Sequence, residues 1–272
     1  MWADYLSVTR LLVSIDLTDS GQGNSFSGQG DAALGALRDR IGSAQVSQVA
    51  RGGRAIIVLE GLEGSLKTDV ARQLAAALDP RFLETLSVVP DRRRSNEGHW
   101  LARFWADLPG QGRTALYFHS WYRRVLEERV LGLVEEREWT RAFDEINEFE
   151  AQQRDHGTLI VKLYFHVSES IRVHRLAERE NDERAIVTEG STELRSSSLR
   201  PAYDEAFTQM LSQNNLRWSP WTVIDANQPA PAVIAALTAV ADAMGKAFPK
   251  EANSEQRASD GPTRRSPRGR TA

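Results

Sequence analysis

"AIIVLEGLEGSLKTDVARQLAAAL", Ala55 to Leu78, decides how this chain is read. It runs from an apolar strand through a glycine-containing turn into a helix that carries a lysine at its start. Gly61 ends the strand, and Gly64, Ser65, Lys67 and Thr68 form the turn and the helix start. Backbone N–H groups at a helix start bind phosphate through their unsatisfied donors and the positive end of the helix dipole. Lys67 would add a point charge over a terminal phosphate, and Thr68 a hydroxyl near Mg²⁺. The phosphate-loop spacing is G-x-x-x-x-G-K-[ST]; "GLEGSLKT" matches at Gly61, Lys67 and Thr68 but has Leu66 where the second glycine belongs. A left-handed backbone there costs a leucine roughly 1–2 kcal/mol. The stretch alone leaves two readings open, a phosphate site of altered shape and a chance strand–turn–helix.

Working outward, the pattern alternates. Runs rich in Val, Ile, Leu and aromatic residues predict strands at Ala55–Leu59, Leu83–Val89, Thr114–Phe118, Leu159–Val167 and Thr222–Asp225. Helices are predicted between and around them, at Asp31–Val49, Leu66–Leu78, Glu97–Ala106, Trp121–Glu135, Trp139–His156, Glu169–Arg179, Leu199–Ser212 and Pro231–Phe248. Alternation of this kind implies an α/β fold, a parallel sheet with helices on both faces. Ligands of such sheets bind beyond the carboxyl ends of the strands. Those ends are Glu60–Thr68, Pro90–Arg94, His119–Arg124 and the segment from Ser168 onward.

Two of these loops are rich in arginine. "ADLPGQGRTALYFHSWYRR" (Ala106–Arg124) ends with a serine, two large aromatics and two guanidiniums, and Arg forks bind phosphate oxygens bidentately. The alternative is that Trp121 and Tyr122 are core and that Arg123 and Arg124 lie on a solvated helix face. "PDRRRSN" (Pro90–Asn96) is either a phosphate contact or a solvated loop. Arg92, Arg93, Arg94, Arg103, Arg123 and Arg124 are expected to share one basic face. His119 beside Ser120 suggests a hydrolase pair, but no acid partner is visible in the sequence, and neighbours on a strand point opposite ways. His166 and His174 are read as ordinary hydrogen-bonded histidines.

Composition excludes several classes. The 272 residues contain no cysteine, so neither disulfides nor thiolate metal sites exist. A net charge of −3 gives no general affinity for nucleic acid. No apolar run is read as membrane-spanning and the start lacks a secretory pattern, so a cytoplasmic protein is expected. Residues 1–30 read as a flexible leader, with 18–30 rich in Gly, Ser and Gln, and 31–249 as one domain. Residues 250–272 hold five arginines and almost no apolar residue, and read as a disordered basic tail.

Four segments in this order and spacing resemble the polyphosphate kinase 2 family, especially its polyphosphate:AMP phosphotransferase type. They are "LEGLEGSLKT", "RFWADLPGQGRTALYFHSWYRR", "FDEINEFEAQQRDHGTLIVKLYFHVSES" and "WSPWTVIDAN". The family's loop is G-x-D-A-A-G-K-G, and its later segments include F-D-R-S-W-Y-N-R or F-F-G-S-W-Y. The resemblance implies a three-layer, P-loop-kinase-like fold with a five-stranded parallel sheet and a helical lid. It also implies phosphoryl transfer between inorganic polyphosphate and a nucleotide (AMP, ADP or GDP), assisted by Mg²⁺, in a protein that is commonly a homo-oligomer.

Carried over by position, the resemblance makes Glu63, Lys67 and Arg124 the expected catalytic residues, and Glu63 stands at the loop aspartate, a carboxylate for the metal or for the accepting phosphate. Lys67 and Arg124 match the loop lysine and the arginine of the S-W-Y segment. Gly61, Gly64, Ser65, Thr68, Arg92, Arg93, Arg103, Arg123 and Arg184 are the expected phosphate and polyphosphate contacts, with Arg113 a further basic position. The departures are Leu66 and Thr68 on either side of the lysine, Phe118 for an acid, His119 for an arginine, and a lid, "ENDERAIVT", reduced to Arg184, Val187 and Thr188. They predict weakened catalysis. The competing expectation is an inactive polyphosphate- or nucleotide-binding domain that pairs with an active homologue.

Overall fold

The computed structural model of the chain describes residues 28–88, 98–179 and 197–250. Five strands form one parallel sheet: β1 Arg54–Gly61, β2 Leu83–Ser87, β3 Thr114–Phe118, β4 Thr158–His166 and β5 Trp221–Asp225, in the order β2-β3-β1-β4-β5. The helices are α1 Gly28–Ala50, α2 Lys67–Ala77, α3 Ala102–Ala106, α4 Glu127–Val130, α5 Glu136–Asp155, α6 Glu169–Arg179, α7 Arg200–Gln213 and α8 Pro229–Ala247. The expected strands are present with edges moved by one or two residues.

The sheet divides two cores because successive strand residues face opposite ways. In β1, Ile57 and Leu59 face α1, α2 and α8, together with Leu74, Leu237 and Val240. Ile56 and Val58 face the other side, where Phe104, Trp121, Phe143, Phe149 and Met210 pack. A central strand buried on both faces must be apolar throughout, which is why Ala55–Leu59 shows no alternation. The chain leaves β1 towards one edge of the sheet and β4 towards the other. Neighbouring strands with diverging connections open a crevice at their carboxyl ends, and β1 and β4 are such neighbours.

Three expectations change. The helix expected over Glu97–Ala106 is only the five-residue α3, Ala102–Ala106, with a non-helical turn before it over residues 98–101. The helix expected over Trp121–Glu135 is a single 3₁₀ turn, Trp121–Arg124, followed by the four-residue α4. Leu126 has non-helical dihedrals, and Gly132 at φ 65° ends the segment before α5 begins with a capping box of Glu135 and Glu138. The α8 helix, 19 residues, is long and apolar enough by length and composition to cross a membrane, contrary to the sequence reading. Its Val233, Leu237, Val240 and Met244 are buried in the first core. It therefore serves as the core helix over α1 and α2.

Candidate functional site

The Gly61–Thr68 loop has positive φ at two glycines and at Leu66. Gly61 has φ 148°, and a Cβ there would lie 2.7 Å from the Phe165 carbonyl oxygen and 2.8 Å from Ser65 Oγ. Gly64 has φ 83°, and a Cβ there would lie 3.3 Å from the Arg172 carbonyl oxygen. Leu66 itself is left-handed, at φ 71° and ψ 10°. The leucine thus adopts the conformation that a glycine would supply, at roughly 1–2 kcal/mol. Its side chain is 5 % exposed and packed in the first core, and burying a leucine returns roughly 1.5–3 kcal/mol. The side chain belongs to the core.

Lys67 opens α2 and folds back over the loop. Its Nζ donates to the carbonyl of Gly61 and, at 3.1 Å, to that of Leu62. No side chain caps α2 at Leu66. Ser65 Oγ is buried and, among the described residues, has no hydrogen-bond partner, an orphan acceptor–donor inside the loop. Thr68 is partly exposed.

The end of β3 meets this loop through a buried carboxylate. Glu60, the penultimate residue of β1, accepts hydrogen bonds at Oε1 from Ser120 N at 2.8 Å and Ser120 Oγ at 2.9 Å. Its Oε2 lies 3.4 Å from His119 Nδ1. On the other side of the imidazole, His119 Nε2 is 3.8 Å from Glu63 Oε1. Burial pushes the Glu60 carboxyl up, but His119, Ser120 and Lys67 outweigh it and hold the group below the usual carboxylate range. His119 is left-handed at φ 56°, with its N–H on the Leu59 carbonyl at 3.3 Å. That turn breaks the strand alternation, so His119 and Ser120 both reach Glu60, contrary to the sequence expectation. The acid partner exists, yet Ser120 is fully buried and its Oγ already serves Glu60 and Tyr122 N, so it is no nucleophile.

The arginines are distributed differently from expectation. Arg123 is buried, donating to the Val88 carbonyl and paired with Glu127. Burial drives its guanidinium down to about 10, against the pull of Glu60, Glu128, Tyr203 and Glu63. Arg124 pairs with Glu128 at 3.2 Å and lies over the Trp100 ring. Arg103 pairs with the same Glu128 at 3.3 Å. These three are therefore not an open basic face; each is met by a carboxylate from α4. Arg113 pairs with Glu84 at the amino ends of β3 and β2, the wrong end of the sheet for a phosphate contact. Arg92, Arg93, Arg94 and Arg184, with the lid, lie outside the described residues.

Sequence reasoning missed a second basic group. Arg175 donates to the carbonyls of Gly64 at 3.0 Å, Ala226 at 2.7 Å and Asn227 at 2.8 Å, tying the loop to the end of β5. Arg172, fully buried, and Arg200 converge on Glu169. Arg172 foremost holds the Glu169 carboxyl down to about 2. The signal was the i, i+3 spacing of Arg172 and Arg175 on a helix that starts at a strand's carboxyl end. His166 is half-buried, pushed down by burial and by Arg200; His174 is exposed near Glu178.

A strand–loop–helix with its lysine folded over the loop, placed at the carboxyl edge of a five-stranded parallel sheet, defines a P-loop-kinase-like α/β protein. Within that class the sequence matches the polyphosphate kinase 2 family over residues 27–252, and the chain belongs to that family. It is 33 % identical over 198 residues to a polyphosphate:AMP phosphotransferase of Pseudomonas syringae pv. tomato, covering 72 % of this chain and 39 % of that one. It is 27 % identical over 214 residues to an AMP/ADP-polyphosphate phosphotransferase of Meiothermus ruber, covering 77 % of this chain and 80 % of that one. The crystal structure of polyphosphate kinase 2 from Arthrobacter aurescens TC1 superposes with a TM-score of 0.75 at 24 % identity, over 92 % of this chain and 95 % of that one. The chain thus spans about two fifths of the Pseudomonas relative.

Proposed function

We propose that the protein transfers a phosphoryl group between inorganic polyphosphate and a nucleoside mono- or diphosphate. The observation that carries this reading is the loop itself: Leu66 takes the left-handed conformation and Lys67 stays folded over Gly61 and Leu62. Phosphoryl transfer needs positioning and charge neutralisation more than covalent help from the protein. Lys67 supplies a positive charge, the first-turn amides of the eleven-residue α2 supply donors, and the orphan Ser65 Oγ supplies a hydroxyl for a phosphate oxygen.

A divalent cation, Mg²⁺ in this reading, would neutralise the phosphates. Among the described residues no three His, Asp or Glu side chains form a metal cage. A single carboxylate is nevertheless compatible with Mg²⁺, which keeps several waters and takes its remaining ligands from substrate phosphates. Glu63 in the loop fits that role. The relatives' names support AMP or ADP as acceptor. A cytoplasmic location and homo-oligomeric assembly complete the proposal.

Incubating the protein with Mg²⁺, polyphosphate and AMP, ADP or GDP in turn tests it. Phosphorylation of at least one nucleotide is expected. Retained polyphosphate binding with no product for any of them would favour the inactive binding domain instead.

A further inference from the structure

We propose that His119 and Glu63 form a two-residue seat for a divalent transition-metal ion, with His119 Nε2 as one ligand and Glu60 as the residue that orients the imidazole. This rests on the reading of Glu63 as the metal's carboxylate and adds an imidazole nitrogen to it. The 3.8 Å between His119 Nε2 and Glu63 Oε1 is too long for a hydrogen bond. It is the span that two ligands of one small ion occupy, about 3 to 4 Å for bonds near 2.1 Å.

The other ring nitrogen is already engaged. His119 Nδ1 faces the buried Glu60 carboxylate, which Ser120 N and Oγ hold in place. A carboxylate on one ring nitrogen with the other aimed at a metal is the arrangement that fixes tautomer and orientation in metal-binding histidines. Both residues of the seat keep an opening to solvent, His119 at 15 % and Glu63 at 13 % side-chain exposure, so water and phosphate oxygens can complete the shell. The φ of 56° at His119 is a cost to the fold, and it is what turns the ring onto Glu60 and Glu63.

The chemical consequence is selectivity. Carboxylate, phosphate and water ligands suit Mg²⁺, whereas an imidazole raises affinity for transition ions such as Mn²⁺ and Co²⁺. The chain should therefore bind Mn²⁺ more tightly than Mg²⁺ through this seat.

Electron spin-echo envelope modulation of Mn²⁺ added to the full chain reads the ligand directly, since a bound imidazole gives ¹⁴N coupling. The wild-type protein should show that coupling, and His119→Asn, which tolerates the left-handed backbone, should lose it and bind Mn²⁺ about tenfold or more weakly. Glu60→Gln should weaken Mn²⁺ binding about 10- to 100-fold while leaving the chain folded by circular dichroism. No ¹⁴N coupling in wild type, or coupling that persists in His119→Asn, overturns the seat. A nucleotide assay on the same sample separates the two proposals. Phosphotransfer without coupling removes the seat but not the activity, and coupling without phosphotransfer removes the activity but not the seat.

Discussion

Lys162 and Glu150 form an ion pair at 2.8 Å with both side chains fully buried beneath the site. Lys162 also donates to Tyr122 Oη and the Asn214 carbonyl, and Glu150 accepts from Tyr122 Oη and Trp121 Nε1. The pair thereby anchors the turn that follows Ser120, and Ser120 holds Glu60. Burial pushes the Lys162 amine down, partly offset by Glu150, and pushes the Tyr122 phenol well up, with Glu150 adding to it.

Lys162→Met should be severely destabilising. It leaves Glu150 buried without its cation, a loss of roughly 3–5 kcal/mol in comparable pairs. Urea unfolding followed by tryptophan fluorescence would show it, and a loss below about 1 kcal/mol would mean that Glu150 finds another partner.

Leu66→Gly separates backbone strain from packing. Relief of the left-handed leucine returns roughly 1–2 kcal/mol, but emptying the buried site costs roughly 2–5 kcal/mol. The net expectation is a loss of about 1–3 kcal/mol with little change in turnover, because the side chain sits in the core. A large gain in turnover would mean that the leucine obstructs phosphate after all.

Much of this was legible in the sequence, and the gaps have physical causes. Ala55–Leu59 announced a central strand because burial on both faces leaves no room for polar residues. The loop's position could be read from Gly61 and Lys67. The pairing of Arg123 with Glu127 and Arg124 with Glu128 is i, i+4 spacing on paper, yet the sequence does not reveal that both glutamates are buried. His119 was misread because one left-handed residue reverses the strand alternation, and a non-glycine residue adopts that conformation too seldom to announce it in advance. Arg175 was missed because its acceptors are backbone carbonyls from two distant loops.

Acid should loosen the α6 end of the site. The Glu169 carboxyl lies at about 2 in the folded protein, against about 4.3 in an unfolded chain. A depressed carboxyl contributes stability that is fully present above the unfolded value and is lost as pH falls towards the folded one. Glu60 is lowered as well and acts with the same sign. Urea midpoints measured from pH 6 to pH 3 should therefore fall, and Glu169→Gln should flatten the fall. An equally steep decline in the variant would assign it to other carboxylates.

Arg123→Ala should act on the fold before it acts on binding. Its removal leaves Glu127 buried without a cation, at roughly 3–5 kcal/mol. Thermal unfolding would register that loss without any substrate present. An unchanged melting temperature combined with weakened, salt-sensitive polyphosphate binding would instead restore Arg123 to the binding face.

The central claim is that Gly61–Thr68 is a working phosphate loop, and Lys67 tests it most directly. With a divalent cation, polyphosphate and the nucleotide that the wild-type protein phosphorylates, the initial rates of wild type and Lys67→Ala are compared. Losing a charge aimed at the transferring group should lower the rate by about 10²–10³-fold while the chain remains folded. A Lys67→Ala protein that transfers phosphate as fast as wild type, or a wild-type protein that phosphorylates no nucleotide, would contradict the account.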